Sequence, residues 1–272
     1  MPEIENKVRI DLYGEAGKAA RECDMVVAVH GINRTIEREG KDRSDIFLPE
    51  DQREFIKEIY KLNPNMVVVL VAGSSLAINW IEDHVPAIVN AWYSGEQGGT
   101  AVAEVLFGDY NPAGRLPLTY YNSLDELPPF DEYEITDGRT YQYFRGTPLY
   151  PFGYGLSYTT FKYSGLSVSD AGDKINVSFD VRNTGRFDGD EVAQIYVKFP
   201  HMGIPMPIKQ LKGFRRVNLK KGEKTGITIE LDKSELRYWD EDAGKFVTPS
   251  GSYSVMVGAS SDDIRLSQDI VF

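Results

Sequence analysis

A single cysteine, Cys23, and three scattered histidines in 272 residues leave no intrachain disulfide and no Cys/His spacing of the kind that holds zinc. Metal and redox chemistry are therefore not expected, and no cofactor is implied. Long apolar runs are missing as well. The longest, Met66–Ala72, has the length of a buried strand, far short of the roughly 20 residues needed to cross a bilayer. No membrane partner is expected. Positive charge is in deficit: 41 acidic residues against 30 basic ones give a formal charge of -11, which on average repels nucleic acid and anionic lipid. The opening residues Met1–Lys7 lack a basic segment followed by an apolar stretch, so no secretory signal is expected there. The Asn-x-Ser/Thr triplets at Asn33 and Asn176 carry little information, because such triplets arise often by chance. The composition itself is ordinary, 42% hydrophobic and 26% charged over a length suited to about two domains, which excludes disorder as the main state.

Patterning divides the chain. Glu15–Cys23 reads as a short helix, Met25–His30 as a strand, Pro49–Leu62 as a helix and Met66–Val71 as a second strand. Unbroken β-branched runs of this kind predict strands covered on both faces, as in a parallel sheet. A helix opened by Ser74 and Ser75 as candidate caps follows, then the strand Ala87–Trp92 and a helix from about Gly99 to Phe107. Only three strong parallel strands are visible, and the first lies near the start of the sequence. The sheet is therefore expected to be part of a larger one, with further sequence upstream. Residues 122–148 lose all periodicity, carry Pro128–Pro129, and read as a linker. From Phe161 the period becomes two, as in Ile175–Arg182, and turn signals such as Asn183-Thr-Gly185 separate about seven runs. The expected fold class is α/β plus all-β: a partial parallel α/β sandwich over residues 1–121, a linker and interdomain segment over 122–160, and an immunoglobulin-like antiparallel β-sandwich over 161–272.

The segment most open to a chemical reading follows the first strand. Residues 31–43 hold Glu37, Glu39 and Asp42 beside Arg34, Arg38, Lys41 and Arg43, at the carboxyl end of a parallel strand, where α/β domains tend to place ligand sites. Glycoside hydrolysis requires two carboxyl groups, one to protonate the leaving oxygen and one to attack or to activate water. Read from composition alone, a mixed charge run is more often a solvated, self-paired surface. Gly95-Glu-Gln-Gly-Gly99 matches no phosphate-binding fingerprint and reads as a tight strand-to-helix turn. Trp92-Tyr93 fits a sugar-stacking face and a core closure equally well. The aromatic-rich stretch Tyr150–Phe161 reads as interdomain packing, the basic run Lys209–Lys224 as a solvated sheet face, and Cys23 as a small buried apolar residue.

Taken together, the segments resemble the carboxy-terminal half of glycoside hydrolase family 3, the family of β-glucosidases and β-xylosidases. The resemblance rests on Glu37-Arg-Glu-Gly-Lys-Asp-Arg43 with Leu48-Pro49 and Gln52, on Ala91–Gly99, on Leu106–Thr119 and on Tyr150–Thr159. Asn183-Thr-Gly185, Asp188–Val192, Leu211–Phe214 and Gly258–Arg265 resemble the family's fibronectin type III-like domain. Ser94 departs from the proline often found at that position.

The resemblance implies a (β/α)8 barrel outside this chain, in cis or in trans, that carries an aspartate nucleophile. It also implies a loop of the α/β part that brings the acid/base glutamate to the barrel. Matching the family's Glu-x-x-Asp-Arg motif residue by residue puts the acid/base on Glu39, with Glu37 as runner-up two positions away. The implied activity is retaining, exo-acting hydrolysis of β-linked oligosaccharides or aryl β-glycosides, and the chain alone is expected to be inactive or nearly so. Ile32–Glu39 and Gly138–Phe144 look more like the β-xylosidase branch than the β-glucosidase branch. The alternative is a non-catalytic module that binds carbohydrate or docks a separately encoded barrel.

Overall fold

The computed structural model describes residues 14–272, which divide into two compact units. One runs through Leu106 and takes in Tyr120–Glu126; the other comprises Phe107–Thr119 and Leu127–Phe272. Among the described residues no helix is long and apolar enough to cross a membrane.

The first unit is built on a parallel three-stranded sheet in the order β1 (Val26–Gly31), β2 (Met66–Val71), β3 (Ala87–Asn90). The central strand β2 is buried along nearly its whole length, which accounts for its unbroken apolar run. Strand β1 lies at an edge among the described residues, with Val27 and Val29 on one of its faces 46% and 60% exposed. Helix α1, described over residues 14–22, is tied to α2 (Glu50–Leu62) through Asn63, whose Nδ2 donates to Ala20 O at 3.0 Å and Cys23 O at 2.9 Å. Helix α2 starts after Pro49, carries Glu50 and Asp51 in its first turn, and buries Ile56 and Ile59. That charge placement complements the helix dipole.

Three expectations change here. The short helix α3 (Asn79–His84) begins at Asn79, not at Ser74 or Ser75, and Ile78 precedes it with no side-chain cap. Both serines lie in the loop after β2, where Arg43 engages them. Strand β3 stops at Asn90, because Trp92 adopts φ 54° and turns the chain out of the sheet. Cys23, just past the end of α1, is exposed rather than buried. Helix α4 (Gly98–Phe107) follows a tight turn closed by Gly98 N donating to Gly95 O at 3.0 Å.

The second unit is a β-sandwich. One sheet runs β12 (Ile264–Val271), β11 (Ser252–Gly258), β6 (Gly189–Lys198), β7 (Gln210–Leu219), and the other β4 (Phe161–Ala171), β5 (Lys174–Asn183), β8 (Lys224–Asp232). All pairings within the two sheets are antiparallel. Alternate residues Ile175, Val177, Phe179 and Val181 of β5 face Ile195, Val197, Val255 and Val257 in one buried cluster, the period-two pattern of the sequence made physical. A small hairpin, β9 (Tyr238–Asp240) with β10 (Lys245–Val247), stands apart from both sheets.

Strand β6 is also buried on its outer face, by chain that precedes the sandwich. Gln194 donates to Gly153 O at 3.0 Å and Ala259 O at 2.6 Å, while Tyr196 packs edge-on to Tyr141 of the one-turn helix α5 (Thr140–Tyr143). Gly153 has φ 82°, and a Cβ there would lie 2.1 Å from Gln194 Oε1, so only glycine fits. The Phe107–Thr119 segment is held beside it: Arg115 Nη2 donates to Glu191 Oε1 at 3.0 Å, with the two side chains 9% and 3% exposed. The aromatic-rich stretch thus packs on the sandwich.

The turn signal at Asn183 proves to be a fully used buried amide. Its Oδ1 accepts from Thr159 Oγ1 at 2.7 Å and Gly185 N at 3.1 Å, and its Nδ2 donates to Phe187 O at 2.8 Å and Leu219 O at 3.0 Å. Asn183→Ala would orphan all four partners and is expected to cost about 1–3 kcal/mol, read as a lowered urea midpoint of the sandwich.

Candidate active site

The carboxyl ends of β1, β2 and β3 each release a loop, and side chains clip these loops together. The first loop leaves β1 at Gly31, where a Cβ would stand 1.8 Å from Val71 O, so β1 and β2 meet there more closely than any larger residue allows. Gln52 of α2 grips both backbone groups of Gly31: Gly31 N donates to its Oε1 at 2.9 Å and its Nε2 donates to Gly31 O at 2.8 Å. One residue on, Tyr93 from the loop after β3 donates its hydroxyl to Ile32 O at 2.9 Å. Its ring lies over Gly73, where a Cβ would come 2.6 Å from Cε2.

Beyond these anchors the loop winds into two turns. Asn33 Oδ1 accepts from Thr35 N at 2.9 Å and Thr35 Oγ1 at 2.7 Å, and Asn33 O accepts from Ile36 N and Glu37 N. This is the local bonding that Asn favours at turns. Arg38 and Lys41 then pair in both directions, Lys41 N to Arg38 O at 2.9 Å and Arg38 N to Lys41 O at 3.1 Å. Glu39 and Gly40 form the tip, and the φ of 71° falls on Gly40, as a type II turn requires of its third residue. Lys41 Nζ donates back to Thr35 O, and Arg38 Nη1 to Arg34 O at 3.1 Å.

The two glutamates of this loop differ in what they do. Glu39 is exposed at the turn tip and has no hydrogen bond or ion pair among the described residues. Glu37 is half-buried and occupied: its Oε2 forms an ion pair with Arg43 Nε at 2.7 Å and accepts a hydrogen bond from Ser74 Oγ at 2.7 Å. Arg43 in turn donates through Nη2 to Ser74 Oγ at 2.9 Å and Ser75 O at 3.0 Å. A general acid must carry a proton to donate; Glu37 is an acceptor on its Oε2, while Glu39 has no partner among the described residues. The mixed charge run is therefore not uniformly a solvated surface, because its final arginine is inside.

The sequence points to Glu39, Glu37 and Arg43, whereas Ser74 reads there as a helix cap and Tyr93 fits two roles equally. The Tyr93 contact depends on the positive φ at Trp92, which residue type does not announce. Among the described residues no group of three His, Cys, Asp or Glu side chains is arranged to hold a metal ion.

His30, the penultimate residue of β1, packs against Phe55 with ring centroids 5.6 Å apart. Burial holds its pKa below the ordinary 6.5, against smaller opposing effects from Gln52 and Asp51. Between the folded pKa and 6.5 the unfolded chain binds more protons, so stability rises with pH through that window and is lost on acidification below it. His30→Gln is expected to flatten this slope, measured as urea midpoints at about pH 7.5 and about pH 5.5.

Residues 3–158 match the family described as glycosyl hydrolase family 3 C-terminal domain, and residues 191–261 match the fibronectin type III-like domain. A β-glucosidase from Kluyveromyces marxianus is 40% identical over 92% of this chain and 31% of its own length. A xylan 1,4-β-xylosidase from Xylanibacter ruminicola is 38% identical over 98% of this chain and 32% of its own. The crystal structure of the Kluyveromyces enzyme in complex with glucose superposes with a TM-score of 0.88 at 37% identity, covering 95% of this chain and 33% of that one. A β-glucosidase from Bifidobacterium adolescentis gives 0.89 at 32% identity, covering 96% of this chain and 41% of that one. The chain spans about a third of the length of the curated relatives it matches. With a parallel α/β unit and an antiparallel sandwich in that order, and a family match over more than half its residues, the chain belongs to glycosyl hydrolase family 3, of which it carries the C-terminal domain and the fibronectin type III-like domain.

Proposed function

We propose that the chain is the C-terminal part of a retaining, exo-acting β-glycosidase and supplies its general acid/base, Glu39. The observation that carries the assignment is the contrast within one loop: among the described residues Glu39 has no hydrogen bond or ion pair at its turn, and Glu37 is committed to Arg43 and Ser74. In the first step the Glu39 carboxyl protonates the departing glycosidic oxygen; in the second its carboxylate takes a proton from the water that releases the sugar. The nucleophile belongs to a (β/α)8 barrel outside this sequence, as does most of the sugar pocket. Retention calls for the two carboxyl groups about 5–5.5 Å apart. The substrates are β-xylosides or β-glucosides. The relatives include enzymes named for each, and the Ile32–Glu39 and Gly138–Phe144 segments favour the xyloside.

The chain alone lacks the covalent partner and the positioning that the barrel provides, and is expected to be inactive or nearly so. The test compares aryl β-xyloside and β-glucoside turnover by the native polypeptide, captured from source cells with an antibody to the sandwich, with turnover by the 272-residue chain. A native species much longer than 272 residues, with the activity confined to it, supports the proposal. Glu39-dependent turnover by the short chain, or saturable oligosaccharide binding by an inactive native species of this same length, overturns it.

A further inference from the structure

We infer that Glu37, Arg43 and Ser74 form a positioning unit that fixes the turn presenting Glu39; this rests on the acid/base reading above. Glu37 precedes the Arg38–Lys41 turn and Arg43 follows it, so their 2.7 Å ion pair closes the base of the loop whose tip is Glu39. Ser74 joins both partners of that pair, accepting from Arg43 and donating to Glu37, and Ser75 O takes a further Arg43 donor. The turn is thereby fastened to the loop at the end of the neighbouring strand β2.

Burial distinguishes this pair from an ordinary surface ion pair. The Arg43 side chain is 10% exposed and its Nη1 has no partner among the described residues. Glu37 is the carboxylate paired with this guanidinium, so removing it leaves a buried charge uncompensated. The planar fork of arginine engages a carboxylate, a hydroxyl and a carbonyl at once, which the single point charge of lysine does not reproduce. Among the described residues Glu39 has no hydrogen bond or ion pair of its own, so its position depends on the turn beneath it. A displacement of about 1 Å in a catalytic group is enough to cost on the order of 100-fold in rate.

The test has two arms. In the 272-residue chain, 15N relaxation reads the order of the Glu39 and Gly40 amides, expected near about 0.85 in the parent and below about 0.6 in Glu37→Gln and in Ser74→Ala. The amides of β2 are expected to stay unchanged. Ser74→Ala removes one hydroxyl and keeps the test open where Glu37→Gln does not fold. In the longer native polypeptide, the same variants are expected to lower kcat by about 10–100-fold at unchanged KM, with Glu37→Asp recovering part of the loss and Arg43→Lys recovering none. A turn equally ordered in all variants, or a loosened turn with kcat intact, overturns the positioning role. Failure of the premise is read separately, as full turnover by Glu39→Gln.

Discussion

Glu39→Gln in the longer native polypeptide is expected to slow hydrolysis of β-glycosides with poor leaving groups by about 100-fold to 10,000-fold, the span typical of a lost general acid/base. The loss depends on the leaving group. An alkoxide needs a proton as the glycosidic bond breaks, whereas a strongly acidic phenol departs without one. With an activated aryl glycoside the first step is therefore expected to survive, and the glycosyl-enzyme to accumulate because no base remains to activate water. A burst of phenol followed by slow turnover is the kinetic mark of that state. Glu37→Gln acts through the position of Glu39, so its smaller loss is expected to follow the same leaving-group dependence. Equal losses of kcat/KM for both substrate classes in Glu39→Gln would remove the acid/base role from that residue.

The second large effect concerns stability. Glu191→Gln or Arg115→Met, made singly, is expected to destabilise the sandwich unit by about 3–5 kcal/mol, because each leaves its partner as a buried, unpaired charge. Among the described residues neither side chain has a second ion pair. Arg115 Nε and the Tyr163 hydroxyl are buried without hydrogen-bond partners among the described residues, and Arg265 lies over the Tyr163 ring at 4.8 Å. Burial, then Glu191, pushes the Tyr163 hydroxyl well above its ordinary pKa, so it stays neutral and cannot take up the role of a missing carboxylate. Arg115→Met with Glu191→Leu is expected to recover much of the loss, since apolar replacement of a buried pair is often close to neutral. Urea unfolding followed by near-ultraviolet signals of the sandwich aromatics measures all three. Additive losses in the double variant would show that the two side chains act independently.

The legible parts of the fold were those that periodicity governs. The run Met66–Val71 announced a central strand because both its faces are buried, and Ile175–Arg182 announced a sandwich strand because one face is. What periodicity does not encode is which buried surface an irregular segment will meet. The aromatics of Tyr150–Phe161 were legible as packing residues, but their use on the outer face of β6 depends on Gln194 and Gly153 meeting across the fold. In the site, the motif around Glu39 was legible from a resemblance and not from charge. Composition offered three acids and four bases in one loop, and only the fold separates the pair that turns inward, Glu37 with Arg43, from the acid that does not. Ser74 carried a capping signature and had another use, because its hydroxyl reached Glu37 across the sheet end before any helix began.

The grip of Gln52 on Gly31 has a consequence for the edge of the first sheet. A primary amide presents one donor and one acceptor side by side, the same face that a peptide group of an adjoining strand would offer. By occupying Gly31 N and O together, Gln52 acts as a one-residue counterfeit of a neighbouring strand. Any strand laid against β1 finds Gly31 already taken and has to end short of it. The sheet is thus closed to extension at the level where its loops are clipped together, leaving that end of the edge to the loops alone.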